Sequence, residues 1–150
     1  MKVRFESDRS DVWSALTDPQ RLAHWYGSVE GDLRIGGEFT AFVTASEWNG
    51  RGRIDACIPH VKLEVTTWEE EGSEKLLMAE LVEDGVVTTL VLDVKGLPLD
   101  LVWAFGVGWQ ILMEDLGTYL SGQKGMNAPS RWDELEAVYR EMPVVPHSVP

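Results

Sequence analysis

The sequence predicts an α+β domain in which a curved antiparallel β-sheet wraps a long C-terminal α-helix. Three observations predict it. A short strand is followed at once by two short capped helices. The segment from Val29 to Lys95 then alternates apolar and polar residues with a period of two. Finally, a broad apolar stripe of helical period runs from about Ala104 to Gly122. Strand, two helices, a six-strand meander and a closing helix segregate the helices to one face of the sheet.

The first strand is expected over residues 2–6, where Val3 and Phe5 alternate with Lys2, Arg4 and Glu6. Ser7 or Asp8 can cap the next helix, whose apolar positions are Val12, Trp13, Ala15 and Leu16. Asp18-Pro19 starts a second helix, with Asp as cap and Pro at the first helical position. In the meander, Leu33 and Ile35 are expected to lead into a hairpin turn at Gly36-Gly37, and Asn49-Gly50 into a second turn. Gly52, Ile54, Ala56 and Ile58 are expected on one face of the following strand. The acidic turn Glu69-Glu70-Glu71-Gly72 and the Asp84-Gly85 turn separate the last three strands. Trp109, Leu112, Met113, Leu116, Tyr119 and Leu120 form the stripe of the long helix, with Glu114, Asp115 and Gly117 off it. Ser130, with Asp133 three residues on, opens a further helix over 130–142 with Trp132, Leu135, Val138, Tyr139 and Met142 inward. The expected division is a main domain over 1–122 and an extension over 123–150, whose last eight residues carry three prolines and should fray.

Composition narrows the partners. The chain of 150 residues has 13 basic against 25 acidic residues, a net charge of -12, and no Lys/Arg cluster. Such a field repels nucleic-acid phosphates and anionic membranes. No apolar run approaches the roughly 20 residues that span a bilayer. Charges interrupt the N-terminal residues, so no secretory signal is expected. The single Cys57 cannot form an internal disulfide, and a cytoplasmic setting is expected. A monomer or homodimer fits these totals.

No metal or cofactor is called for. His24, His60 and His147 are scattered, and Cys57 has only His60 near it in sequence, whereas zinc needs three or four converging ligands. Cys57 has no neighbouring base and reads as a small hydrophobe in a strand. Gly106 and Gly108 read as allowing close approach of the last helix to the sheet. Arg51, Arg53, Asp55, Glu80 and Asp93 fall on polar strand faces, so no catalytic residue is nominated.

Seven tryptophans are a heavy load for this length, and Trp suits both cores and pocket walls. A sheet curled around one helix has a concave side, and whatever the helix leaves unfilled becomes a pocket. The candidate lining is Trp25, Tyr26, Phe42, Trp48, Trp68, Met78, Trp103, Trp109 and Met113. Phe42 and Trp68 alternate against the faces read as buried, so they either cover the outer face or a bulge shifts the register.

The run Val12-Trp13-Ser14-Ala15-Leu16-Thr17-Asp18-Pro19, with Leu22 and Trp25-Tyr26, resembles the opening of the heat-shock-protein-90 ATPase activator homologue family. Gly36-Gly37-Glu38-Phe39, Gly52-Arg53-Ile54, Leu63 with Thr67-Trp68, Thr89-Leu90 and Gly108-Trp109 resemble its later landmarks in order. The resemblance covers residues 2–122 and implies membership of the START-like (SRPBCC) superfamily with its helix-grip, birch-pollen-allergen-like fold. It implies an internal cavity between sheet and helix, but no reaction. Relatives in the wider superfamily bind lipids, hormones and polyketides, and some catalyse cyclisation or dehydration. The expected function is therefore non-catalytic binding of a small hydrophobic or aromatic ligand. The alternatives are an enzyme using the same cavity (cyclase, hydrolase or dehydratase) and a regulatory protein-interaction module.

Overall fold

The computed structural model describes residues 1–69 and 73–142. Strand β1 (Lys2–Phe5) precedes helices α1 (Arg9–Thr17) and α2 (Pro19–Leu22). Asp8 caps α1 by accepting from the Asp11 N–H at 2.8 Å. Asp18 ends α1 and caps α2 through the Gln20 N–H. One aspartate thus serves two helix ends, because its extended backbone turns the chain just where Pro19 can begin the next helix.

Six strands follow: β2 (Gly27–Gly31), β3 (Glu38–Val43), β4 (Trp48–Ile58), β5 (Lys62–Trp68), β6 (Lys75–Asp84) and β7 (Val87–Lys95). They form a meander, and β1 joins it beside β7. The result is one curved seven-stranded antiparallel sheet in the order β1-β7-β6-β5-β4-β3-β2. Helix α3 (Val102–Leu120) lies across the concave face, and α4 (Ser130–Tyr139) packs on α3. Among the described residues no helix is long and apolar enough to cross a membrane.

The core lies between the concave face and the helices. Leu81, Leu90 and Leu92 of the sheet meet Val12 and Ala15 of α1 and Leu112, Met113 and Leu116 of α3. The register is consistent across the strands, with Leu77 opposite Val94, Ala79 opposite Leu92 and Leu81 opposite Leu90. Each pair shares the concave face because side chains alternate with a period of two.

Several local expectations are corrected. Residues Leu33 and Ile35 lie in the β2–β3 connection, not in a strand, and Ile35 is exposed. The turn there does use Gly36, at φ 83°. Asn49 and Gly50 sit inside β4, opposite Phe42 and Ala41. The turn comes before them, with Glu47 in the left-handed region at φ 57°. The glycines at 50 and 52 serve ring packing instead: a Cβ would sit 2.4 Å from the Trp48 ring at Gly50 and 2.2 Å from the Phe39 ring at Gly52. A register shift between Ile54 and Ala56 then turns Cys57 inward and leaves Ile58 53% exposed, where unbroken alternation had placed Ala56 and Ile58 with Ile54.

The helical end differs too. Helix α3 begins at Val102 after a 3₁₀ turn, Leu99–Leu101. Asp115, expected off the stripe, is 3% exposed and accepts from the backbone N–H and side-chain Nδ2 of Asn127 at 2.8 and 3.0 Å. Helix α4 ends at Tyr139, and Val138 and Met142 are exposed. Its N-cap position is Pro129 rather than Ser130, with no side-chain cap. Gly106 and Gly108 face α4 rather than the sheet: a Cβ at Gly106 would lie 2.5 Å from the Tyr139 ring, and one at Gly108 3.7 Å from Trp132. The rest of the acidic turn at 70–72, His147 and the fraying expected over 143–150 lie outside the described residues.

Candidate functional site

Helix α3 covers the concave face incompletely, and two adjoining lobes remain. The outer lobe, about 320 Å³, lies between the first turns of α3 and the β3–β7 end of the sheet. Val43, Trp48, Leu77 and Val94 form its floor, and Ala104, Phe105, Gly108, Leu112 and Trp132 its roof. The exposed residues Ser46 and Glu69 stand at its rim with Lys75. The inner lobe, about 180 Å³, reaches toward α1 and α2 and is walled by core side chains that include Leu63, Val65, Leu90, Leu92 and Met113. Tyr26, Thr67, Leu77 and Trp109 border both lobes.

Of the nine lining candidates, the fold brings five together. Trp25, Tyr26, Trp109 and Met113 line the inner lobe, and Tyr26, Trp48 and Trp109 the outer one. Trp25 is held rigidly: it is 2% exposed, and its indole Nε1 donates to the Ala15 carbonyl at 2.9 Å. It meets Tyr26 edge-on at 5.5 Å.

The other four stand elsewhere. Phe42 points from the convex face, 41% exposed, because the β3 residues turned inward are Ala41 and Val43. Trp68 pairs with Arg51 on that same outer side, one residue past inward Thr67. Met78 pairs with Glu64 and Asp93, whereas its neighbours Leu77 and Ala79 face in. The register shift in β4 lies at Ile54/Ala56 and does not bring either Phe42 or Trp68 inward. Trp103 lies on the α4 side of α3, packed with Val107, Ile111 and Leu135, with the Arg140 guanidinium 3.8 Å above its ring.

Lining residues not anticipated from the sequence include Leu77, Phe105, Trp132, Thr67 and Lys75. Leu77 and Thr67 were legible from strand alternation, since both share the inward face. Trp132 was not, because it reaches the cavity only through the docking of α4.

That docking is well tied. Arg131 donates twice to Glu114, at 3.0 and 2.7 Å, and Tyr139 donates to Gln110 Oε1 at 2.6 Å. The Arg131 guanidinium holds the Glu114 carboxyl below its ordinary range, while burial pushes Asp115 up.

Electrostatically the cavity is nearly neutral. Lys75 Nζ donates to the Ser73 carbonyl at 3.2 Å and lies 5.3 Å from the Phe105 ring centre. Burial pushes the Tyr26 phenol up to about 12. Tyr26 is only half-buried by surface and lines both lobes. Among the described residues no group of three or more His, Cys, Asp or Glu is placed to hold a metal ion.

The family model for "Activator of Hsp90 ATPase homolog 1-like protein" matches residues 6–121. The chain belongs to this family. The match spans α1 through the end of α3, so it includes both lobes apart from the Trp132 wall. Solved structures agree. The crystal structure of CalU16 from Micromonospora echinospora superposes with a TM-score of 0.76 at 27% identity, covering 93% of this chain and 83% of that one. DynU16, from the dynemicin biosynthetic locus, gives 0.74 at 24% identity, covering 85% of this chain and 48% of its own. The Aha1 dimer from Colwellia psychrerythraea gives 0.72 at 14% identity, over 83% and 96%. The last two, below 25% identity, show the shared helix-grip fold alone. No curated protein sequence matches the chain significantly.

Proposed function

We propose that this protein binds an apolar or aromatic small molecule in the cavity between its sheet and α3, without catalysing a reaction. The observation that carries the reading is the two-lobed void itself, floored by strand aliphatics and walled by Tyr26, Trp48, Phe105 and Trp109. Concave, mostly apolar sites of a few hundred Å³ are the usual form of small-molecule pockets. A guest burying about 200 Å² of apolar surface gains roughly 5 kcal/mol before association costs.

Catalysis is favoured less by the groups present. Burial pushes the Tyr26 phenol up to about 12, away from neutral pH. A general acid or base works best with a pKa near the operating pH. Tyr26 therefore suits hydrogen bonding better than proton transfer. On the convex face Phe42, Trp68 and Met78 pair with Asn49, Arg51, Glu64 and Asp93, which intersperses polar side chains among them. The unpaired Cys57 thiol goes with a reducing, cytoplasmic setting.

Titration with N-phenyl-1-naphthylamine, a neutral fluorescent probe, tests the reading. Saturable one-site binding with tryptophan quenching is expected, weakened in Trp109→Ala. An absence of saturable binding in the folded wild-type protein would overturn it.

A further inference from the structure

We propose that the ligand is a neutral, ring-bearing molecule with a carbonyl oxygen that accepts a hydrogen bond from the Tyr26 hydroxyl. The inference rests on the cavity-binding reading and narrows its chemistry.

The first argument is an inventory of donors. Among the described residues, the Tyr26 hydroxyl makes no hydrogen bond, and neither do the indole N–H groups of Trp48 and Trp109. Yet no polar side-chain atom among them is both sealed in and unpartnered. These three donors therefore open onto free space, and all three side chains line the cavity. Among the tryptophans Trp25 donates to the Ala15 carbonyl and Trp132 to Glu136, while the indoles of Trp13, Trp68 and Trp103 make no hydrogen bond either. The Tyr26 hydroxyl, on a side chain that lines both lobes, is thus left free to donate to a guest. A guest with an acceptor can take that hydrogen bond; a plain hydrocarbon cannot.

Of the three, Trp48 borders only the outer lobe, while Trp109 shares the junction with Tyr26. Tyr26 borders both lobes at the junction with Trp109, so a guest extending from one lobe into the other passes its side chain. Its phenol is protonated at neutral pH, as an ordinary tyrosine is, and burial pushes it up further to about 12, so it presents a proton to donate. The hydroxyl of Thr67, at the same junction, can add a second contact.

Charge argues for neutrality. Among the described residues Lys75 is the one cation of the outer lobe; it already donates to Ser73 and lies against Phe105, and Glu69 shares the rim with it. A carboxylate guest would meet that glutamate and a chain of net charge -12. A ketone, quinone or lactone accepts hydrogen bonds without either cost.

Fluorene and 9-fluorenone, which share one tricyclic frame and differ at the carbonyl, separate the possibilities. Calorimetric titration of each into the full chain and into Tyr26→Phe gives two affinity ratios, which cancels the difference in hydration of the two probes. The fluorenone-to-fluorene ratio is expected to fall about fivefold in the variant, with fluorene affinity unchanged. The infrared carbonyl stretch of bound fluorenone should move to lower frequency in wild type and return in Tyr26→Phe. Fluorene-9-carboxylate should bind more weakly than fluorene. An unchanged ratio, a carbonyl shift that survives in Tyr26→Phe, or tighter binding of the carboxylate overturns the inference while leaving cavity binding intact. If none of the three probes binds, the cavity reading falls as well.

Discussion

Tyr26 and Trp109 stand with ring centres 6.4 Å apart and planes tilted by 35°, and together they partition the cavity. Tyr26 follows α2 and Trp109 lies on α3, so the partition joins two helices far apart in sequence. Leu77 faces both lobes from the sheet below.

Leu77→Trp should therefore plug the cavity. The indole fills existing space, so overpacking is limited and the melting temperature should stay within a few degrees of wild type. Binding of N-phenyl-1-naphthylamine should fall at least tenfold. Retained affinity in a folded variant would place the probe elsewhere.

Gly106→Ala sets two effects against each other. Within a helix, alanine is better than glycine by about 1 kcal/mol. Here its Cβ would lie 2.5 Å from the Tyr139 ring, so α4 must shift. Steric strain of about 1–3 kcal/mol should win, and the variant should melt lower than wild type. In a Tyr139→Ala background the same substitution should become stabilising, and urea unfolding of the four proteins reads that reversal.

The two carboxylates on α3 should respond oppositely to acid. Glu114 is held low by Arg131, so its contribution is present above the unfolded value near 4.5 and is lost as pH falls through the lower folded value. Glu114→Gln should cost about 1 kcal/mol at pH 7, with the deficit shrinking in acid. Asp115 is raised by burial above 3.8, so its charge opposes folding at neutral pH and that opposition fades as pH falls through the folded value. Asp115→Asn keeps an acceptor for Asn127 and should gain up to about 1 kcal/mol at pH 7, a gain that vanishes below pH 4. Urea titrations at several pH values check both signs.

Trp25→Phe keeps the aromatic body but leaves the Ala15 carbonyl without the indole donor that reaches it at 2.9 Å. A loss of about 1–2 kcal/mol is expected, measured by chemical unfolding. The variant should also loosen the inner lobe, raising probe dissociation more than association.

The order of elements was legible in the sequence because each rests on local chemistry. Asp8 and Asp18 cap helices through neighbouring N–H groups, and a run such as Leu90-Val91-Leu92 shows its inward side by alternation. The Leu112, Met113 and Leu116 stripe likewise needs only helical period to be seen. By itself the sequence thus determined a sheet, its closing helix and the inward side of unbroken runs such as Leu90–Leu92, though not of Ile58 beyond the register shift or Val138 at the end of α4.

Only the tertiary structure decided which aromatics meet the cavity. Trp68 and Met78 have the size and polarity of wall residues, but register places them outside, a choice made by pairing with Arg51, Glu64 and Asp93. Trp103 is turned away because α4 docks on that side of α3, and the same docking brings Trp132 in. The void depends on how far α3 stands from the curved sheet and on rings lying over Gly50 and Gly52. Those are distances between segments remote in the chain, and no local periodicity encodes them.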